Sequence, residues 1–476
     1  MSDVTSQPPR TSTVRWGRCA EPLTLVSGRH YRLDMDRLAP LAWSNPDRRW
    51  FDLLHLAASV YAVDRMVVRE HRRTQSDCSR ELQITLGVSD LDFWNDDRLR
   101  SLVIDALETL SEDTWDVQFV AWGGVEPVAR KRLLRLPPDD LKDSSPLVCL
   151  YSGGLDSAAG LAVRIGQEPG RPIVPVTVKH QSSQGSLVRG QYRLLRDRAP
   201  VSMYPVVIPA SMIRPTRLVP REETSQRTRA FLFSALGGVA AALLGVRTVE
   251  VFESGVGVVN LPFMAGMIGS RMTRSCHPGF YRLMSRLVSK VSGRDISFTF
   301  PHLGRTKGEM VRGLAEMGLH ELAQATVSCV HFPLRHKRTK QCGVCPACIL
   351  RRQAMLVAGI EEPIDRYRFD LFGPSARAEG IPEDRLDYLR AILGQVVRFA
   401  EFDGQGEIPR RFRRHLLGSG VIGDDVPQEA VVGVLQRYRR EWLDLAQEGA
   451  RLGWRWTGLL SPQTSDTEKG LSHAAV

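Results

Sequence analysis

Apolar and polar positions change rhythm twice along the chain. In the first 140 residues, "FDLLHLAASVYAVDRMVV" (51–68) reads as a helix, and "RELQITLGV" (80–88) alternates as a strand with one buried face. "DDRLRSLVIDALETL" (96–110) has the spacing of an amphipathic helix, and "TWDVQFVAW" (114–122) alternates again. From Leu147 short continuous apolar runs replace the alternation: "LVCLY" (147–151), "PIVPVTVKH" (172–180), "VSMYPVVIPA" (201–210), "RTVEVFES" (247–254) and "ISFTFPHL" (296–303). Helical segments such as "RAFLFSALGGVAAALLG" (229–245) lie between most of them. Strands apolar on both faces and alternating with helices predict an α/β fold, a five-stranded, doubly wound parallel sheet. Past about residue 365 the periodicity is helical, as in 383–402 and 429–448.

The expected organisation follows. Residues 1–140 form an accessory α+β domain holding most of the tryptophans, and the basic, Pro-containing 129–146 is a linker. Residues 145–360 form the α/β domain, 365–460 a helical region, and 461–476 a disordered tail. With 43% hydrophobic and 25% charged residues, composition fits a globular protein of two or three domains. The nearest approach to a membrane span is "GGVAAALLGV" (237–246), and residues 1–18 have no apolar signal segment, so a cytoplasmic protein without a membrane partner is expected. The net charge of +11 favours an anionic partner, but it is spread out, with local concentrations at 410–415 and 437–440; nucleic acid is not required by it.

Two stretches carry chemistry. "SGGLDS" (152–157) closes the first apolar strand and opens a helix, a place where open parallel sheets gather ligands. Gly153 and Gly154 permit close backbone approach, and the loop N–H groups, with Ser152, Leu155 and Ser157 at the positive end of the helix, suit an anion. Asp156 beside a phosphate implies a helix cap or a role through Mg²⁺. The spacing is neither Walker A nor the dinucleotide turn. Further on, Cys329, Cys342, Cys345 and Cys348 stand in a C-x12-C-x2-C-x2-C pattern. Four thiolates so spaced fit a closed, structural Zn²⁺ site, with His331 and His336 as substitute ligands.

The full S-G-G-x-D-S hexamer resembles the PP-loop of the ATP pyrophosphatase superfamily, enzymes that cleave ATP to AMP and pyrophosphate while activating a substrate oxygen. Together with the cysteine pattern, "TVSC" (326–329), "CGVCPACILRRQA" (342–354), "RTKGEM" (305–310) and "SQRTRAFLFSA" (225–235), it resembles the 7-cyano-7-deazaguanine synthases (QueC-like) over about residues 145–357. The resemblance implies ATP, Mg²⁺ and a 7-deazaguanine carboxylate, with Asp156, Ser157 and Lys307 catalytic. It implies that Lys179, Arg227 and Arg229 join the loop in holding ATP, and that His180 and Gln181 shape the nucleotide pocket.

Two features depart from the family pattern. Typical synthases carry an acidic Gly-Tyr-Pro-Asp-Cys type segment after the fourth strand. Here 253–280 differs, and whether Glu253, Arg271, Arg274 or His277 reads the substrate is left open. The chain also adds about 140 residues before the domain and over 100 after it. In that respect it resembles the long QueC-like proteins of anti-phage operons (Qat, type IV CBASS), which implies a protein amine from an operon-encoded acceptor, docked by the extra domains. Ammonia as nucleophile, giving the nitrile, and a PP-loop RNA-modifying enzyme are the alternatives; a homodimer is compatible with each.

Overall fold

The computed structural model describes residues 9–16, 21–42, 47–69, 79–124, 139–141, 144–180, 182–199, 201–216, 219, 221–262, 274–332, 341–373, 381, 386–403, 406–454 and 456–457. Most of the expected linker, Gln181, Arg271, His336 and the expected tail lie outside them.

The N-terminal region builds a four-stranded sheet in the order β2-β1-β4-β5 from β1 (Thr11–Trp16), β2 (Leu23–Val26), β4 (Glu81–Val88) and β5 (Thr114–Ala121). β4 and β5 alternate buried and exposed positions, as a half-buried strand must. Two helices accompany it, α1 (Arg48–Met66) and α2 (Asp97–Ser111). The Asp96 carboxylate caps α2 by accepting from the Leu99 N–H at 2.8 Å. α1 is buried almost all round, because it packs against β3 (Tyr31–Leu33), β4 and two helices that follow later in the chain.

The central sheet has the order β10-β9-β6-β7-β8-β3. Its five parallel strands are β6 (Leu147–Leu150), β7 (Ile173–Lys179), β8 (Val206–Met212), β9 (Thr248–Val251) and β10 (Ser297–Thr299), in register as Val148↔Val174 and Val148↔Val249. A sixth strand, β3 (Tyr31–Leu33), comes from the N-terminal region and pairs antiparallel with Ala210–Met212 of β8. Periodicity does not reveal this addition: three residues are too few to show a period, and their partner lies far along the chain.

The connecting helices are α3 (Leu155–Gln167), α4 (Ser182–Arg198), α5 (Arg229–Leu244), α6 (Pro278–Ser292), α7 (Lys307–Glu316) and α8 (Pro346–Val357). Strand order runs outward from β6 to β7 and β8 in one direction, then to β9 and β10 in the other. The carboxyl ends of β6 and β9 therefore flank the switch point of the sheet, where a crevice opens in folds of this kind. The C-terminal helices α9 (Asp387–Arg398) and α10 (Gln428–Arg451) share one apolar core with the four clustered cysteines, including the buried Trp442, Trp454 and Phe372.

Candidate active site

The turn after β6 is set by a glycine and a local set of hydrogen bonds. Gly153 has φ +82°, and a Cβ there would lie 2.9 Å from Val188 Cγ2, so conformation and space both require glycine. Its carbonyl accepts from Gln191 Nε2 (3.0 Å) and from the Val327 N–H (3.4 Å). Ser152 Oγ accepts from the Gly154 N–H (3.2 Å) and lies 3.3 Å from Ser157 Oγ, which donates to the Gly154 carbonyl (3.0 Å). Both hydroxyls thus stand together at the start of α3, where the helix dipole favours an anion.

Two carboxylates and a lysine meet beside this turn. Lys307 is the first residue of α7, whose N-terminus is closed by a reciprocal capping box between Thr306 and Glu309. Its Nζ pairs with Asp156 Oδ2, both side chains being largely buried. Burial alone would lower the lysine's pKa; the charges of Asp156 and Glu253 outweigh it, and the ammonium is held. Glu253 follows β9 across the switch point. Burial and then the Asp156 charge push its carboxyl up to about 8, against the pull of Lys307. Cys276 donates its thiol to Glu253 Oε2 at 3.5 Å. Asp156 Oδ1 is buried and has no hydrogen-bond partner. One cation thus faces two carboxyl groups.

The cysteines form the second element. The sulfurs of Cys329, Cys342, Cys345 and Cys348 all lie within 4.8 Å of one another, and all four residues are buried. Zn–S bonds of about 2.3 Å imply tetrahedral edges of about 3.8 Å; Cys342 and Cys348 are 3.9 Å apart. The Cys342 N–H points at Cys329 Sγ (3.4 Å) and the Cys345 N–H at Cys342 Sγ (3.3 Å), the donors a thiolate needs. Gly343 turns this knuckle with φ +85°, and a Cβ there would run into the Phe369 carbonyl. The set fits a zinc ion with no position left for substrate. It also reaches the turn after β6: Val327 bonds Gly153, and Ser328 Oγ lies 3.5 Å from the Leu155 N–H.

Residues 274–359 match the family model described as QueC: Queuosine biosynthesis protein QueC. A 7-cyano-7-deazaguanine synthase of Anaeromyxobacter sp. is 29% identical over 240 residues, covering 94% of that protein and 45% of this chain. The synthase of Methylococcus capsulatus is 26% identical over 242 residues, covering 99% of it and 47% of this chain. The central domain is QueC-like. The family match starts within the altered segment and runs through the cysteines, while the relatives' whole lengths fall on less than half of this chain.

Around the QueC-like domain, the remaining expected residues have diverse surroundings. Lys179, at the end of β7, lines a cavity with Arg189 and Arg193 of α4. His180 is stacked 4.9 Å from Tyr61 and 5.9 Å from Phe233, with neither ring nitrogen hydrogen-bonded, and burial drives its pKa to about 3. Arg229 is exposed, 5.9 Å from the Phe233 ring. Arg227 is buried against the N-terminal region, donating to the Ser111 carbonyl (3.2 Å) with Glu112 at 3.8 Å. Arg274 pairs with the same Glu112 at 2.6 Å. His277 caps α6, its Nδ1 accepting from the Gly279 N–H (3.1 Å), and burial followed by Arg274 lowers its pKa to about 4. His331, two residues after Cys329 and so within the sequence span of the cysteines, is not among the grouped ligand residues.

Four contributors were not legible in the sequence. Gln191 joins the turn to the metal segment by donating also to the Ala325 carbonyl (3.1 Å). Ser328 and Cys276 sit in stretches flagged for other reasons. Glu441 of α10 supports Lys307 from below: it accepts from Thr306 Oγ1 and from Gln353 Nε2 (3.0 Å), and Arg437 one turn earlier donates to Glu309 at 2.7 Å. Burial raises the Glu441 pKa to about 7. No helix among the described residues is long and apolar enough to cross a membrane.

Proposed function

We propose that this protein adenylates a 7-deazaguanine carboxylate with ATP and passes the acyl group to an amine. A carboxylate oxygen attacks the α-phosphorus, pyrophosphate leaves, and the amine then displaces AMP from the acyl carbon. The observation that carries this is the pairing of the Ser152–Ser157 turn with Lys307 and Asp156 at the switch point of the sheet. The turn supplies N–H groups and hydroxyls for the departing pyrophosphate, and Lys307 supplies a fixed cation where negative charge grows. The free Asp156 Oδ1 is the oxygen that would hold the Mg²⁺ accompanying a triphosphate. Lys179, Arg227 and Arg229 are proposed to reach ATP, and Glu253, Arg274 and His277 the base. Zinc at the four cysteines would be structural.

In this reading the amine belongs to a partner protein in anti-phage defence, and the added N- and C-terminal regions receive that partner. The length outside the QueC-like domain supports it. The relatives' names favour ammonia and a nitrile product instead. Incubation with ATP, Mg²⁺, 7-carboxy-7-deazaguanine and proteins encoded by neighbouring genes, followed by intact-protein mass spectrometry, separates the two. A mass gain on a partner supports conjugation, the free nitrile supports the synthase, and absence of pyrophosphate release refutes both.

A further inference from the structure

A cavity of about 920 Å³ opens between α4 and the 34–40 segment of the N-terminal region. One wall is basic: Arg189, Arg193 and Arg196 follow one another along one face of α4, all exposed, and Lys179 closes the inner end. Among the described residues none of these three arginines makes an ion pair. Like charges on successive turns of a helix repel, by a few tenths of a kcal/mol per pair, so the row is a standing cost that an anionic occupant would remove. The floor is the outer part of β8, with Pro205, Val207 and Pro209 lining it.

The sheet edge there is also unfinished. β3 covers β8 only over Ala210–Met212, while β7 pairs along Val206–Pro209 on the other side. Among the described residues, Val206–Ile208 therefore has a strand neighbour on one side only, and that bare stretch of main chain lies at the cavity floor. That edge does not recruit a strand: the Asp34 N–H bonds the Pro209 carbonyl, so residues 205, 207 and 209 face the open side, and Pro205 and Pro209 have no N–H to donate, which leaves side-chain charge to hold an occupant. Arg189 and Arg193 are about 6 Å apart along α4, close to the repeat of about 6.7 Å between same-side residues of an extended chain, and Arg196 follows after about 4.5 Å.

We propose that this groove binds an acidic segment of a partner protein in extended conformation, its carboxylates against Arg189, Arg193 and Arg196 and its apolar side chains over Pro205, Val207 and Pro209. A single-stranded nucleic acid would meet the same charges but lacks a stacking platform: Tyr192, the aromatic ring at the cavity, is buried, and the opposite wall carries Asp36 and Asp34, the latter paired with Arg37. A peptide with alternating side chains tolerates those carboxylates; a continuous run of phosphates does not.

The test is fluorescence anisotropy with the full chain and a fluorescein-labelled ten-residue peptide of alternating Glu and Val, without ATP, so that its outcome is separate from that of the adenylation assay. The peptide is expected to bind with an affinity that falls as salt rises. Its Lys–Val counterpart should not bind. The double reversal Arg189→Glu/Arg193→Glu should weaken binding about tenfold or more, whereas Arg98→Glu, an exposed reversal on α2, should leave it unchanged. Melting curves of both variants check that they are folded. Absence of salt-sensitive binding, or affinity equal in the Arg189/Arg193 variant and wild type, overturns the proposal. A ten-nucleotide oligouridine that binds more tightly than the Glu–Val peptide, and is released by the same reversals, overturns it in favour of nucleic acid.

Discussion

Glu441→Gln isolates the support that α10 gives to Lys307. In the folded chain the Glu441 carboxyl is pushed from 4.5 to about 7, chiefly by burial, while Thr306 and Gln353 donate to it. A raised folded-state pKa means that the native protein binds this proton more tightly than the unfolded chain. The contribution is fully present below pH 4.5 and is lost as pH rises through about 7. The rise is worth ~3 kcal/mol, so between those limits wild type loses up to that much stability at this one site. Glutamine keeps the size and an acceptor for Thr306. Its amide can donate to Gln353 Oε1, which has no partner in wild type, if the Gln353 amide turns over. The variant carries no ionisable proton there. Its stability relative to wild type should therefore increase with pH and level off above about pH 8. Urea denaturation at half-unit steps from pH 4.5 to 8.5 measures the difference. A difference flat to within ~0.5 kcal/mol would show that Glu441 is not buried in the state described and refute the argument.

Three other outcomes are expected. Lys307→Met leaves Asp156 and Glu253 facing each other without a cation, so pyrophosphate release should fall about 100-fold or more while far-UV circular dichroism is retained; near-normal release would remove Lys307 from the proposed chemistry. Cys345→Ser should lower bound zinc from about one per chain to a small fraction by elemental analysis. It should also lower the melting temperature, because the cysteines share a core with α10; unchanged zinc content would count against the four-sulfur site. Gln191→Leu strips partners from the Gly153 and Ala325 carbonyls and from the buried Tyr151 hydroxyl. It should cost ~2–4 kcal/mol in stability and raise the ATP concentration at half-maximal pyrophosphate release, whereas a purely structural role would leave that concentration unmoved.

The resemblance drawn from "SGGLDS" and the cysteine spacing agrees with the QueC family match and with the synthase relatives. The parallel set β6–β10 was legible because its central strands β6, β7 and β9 are buried on both faces and appear as unbroken apolar runs, with the flanking β8 and β10 apolar enough to follow the same rhythm between helical segments. The cysteine cluster was legible because its ligands are close in sequence and their spacing alone brings sulfur near sulfur. The turn after β6 was legible because strand, glycines and hydroxyls are contiguous.

What periodicity and spacing could not show is what meets across long separations. β3 completes the central sheet from more than 170 residues away from its partner β8 in sequence, and three residues carry no pattern of their own. Arg227 and Arg274 look alike in sequence to any other basic residue near a helix start; only folding brings both to Glu112. Glu441 reads as one charge on an amphipathic helix, until burial beneath Thr306 makes it a carboxyl with a shifted proton affinity. Lys307, Asp156 and Glu253 are single residues in three separate segments, and strand order alone decides that they converge. Local chemistry follows from neighbours in the chain, which the sequence states outright. Electrostatics and support follow from neighbours in space, because desolvation and Coulomb energy depend on distances that exist only once the chain has folded.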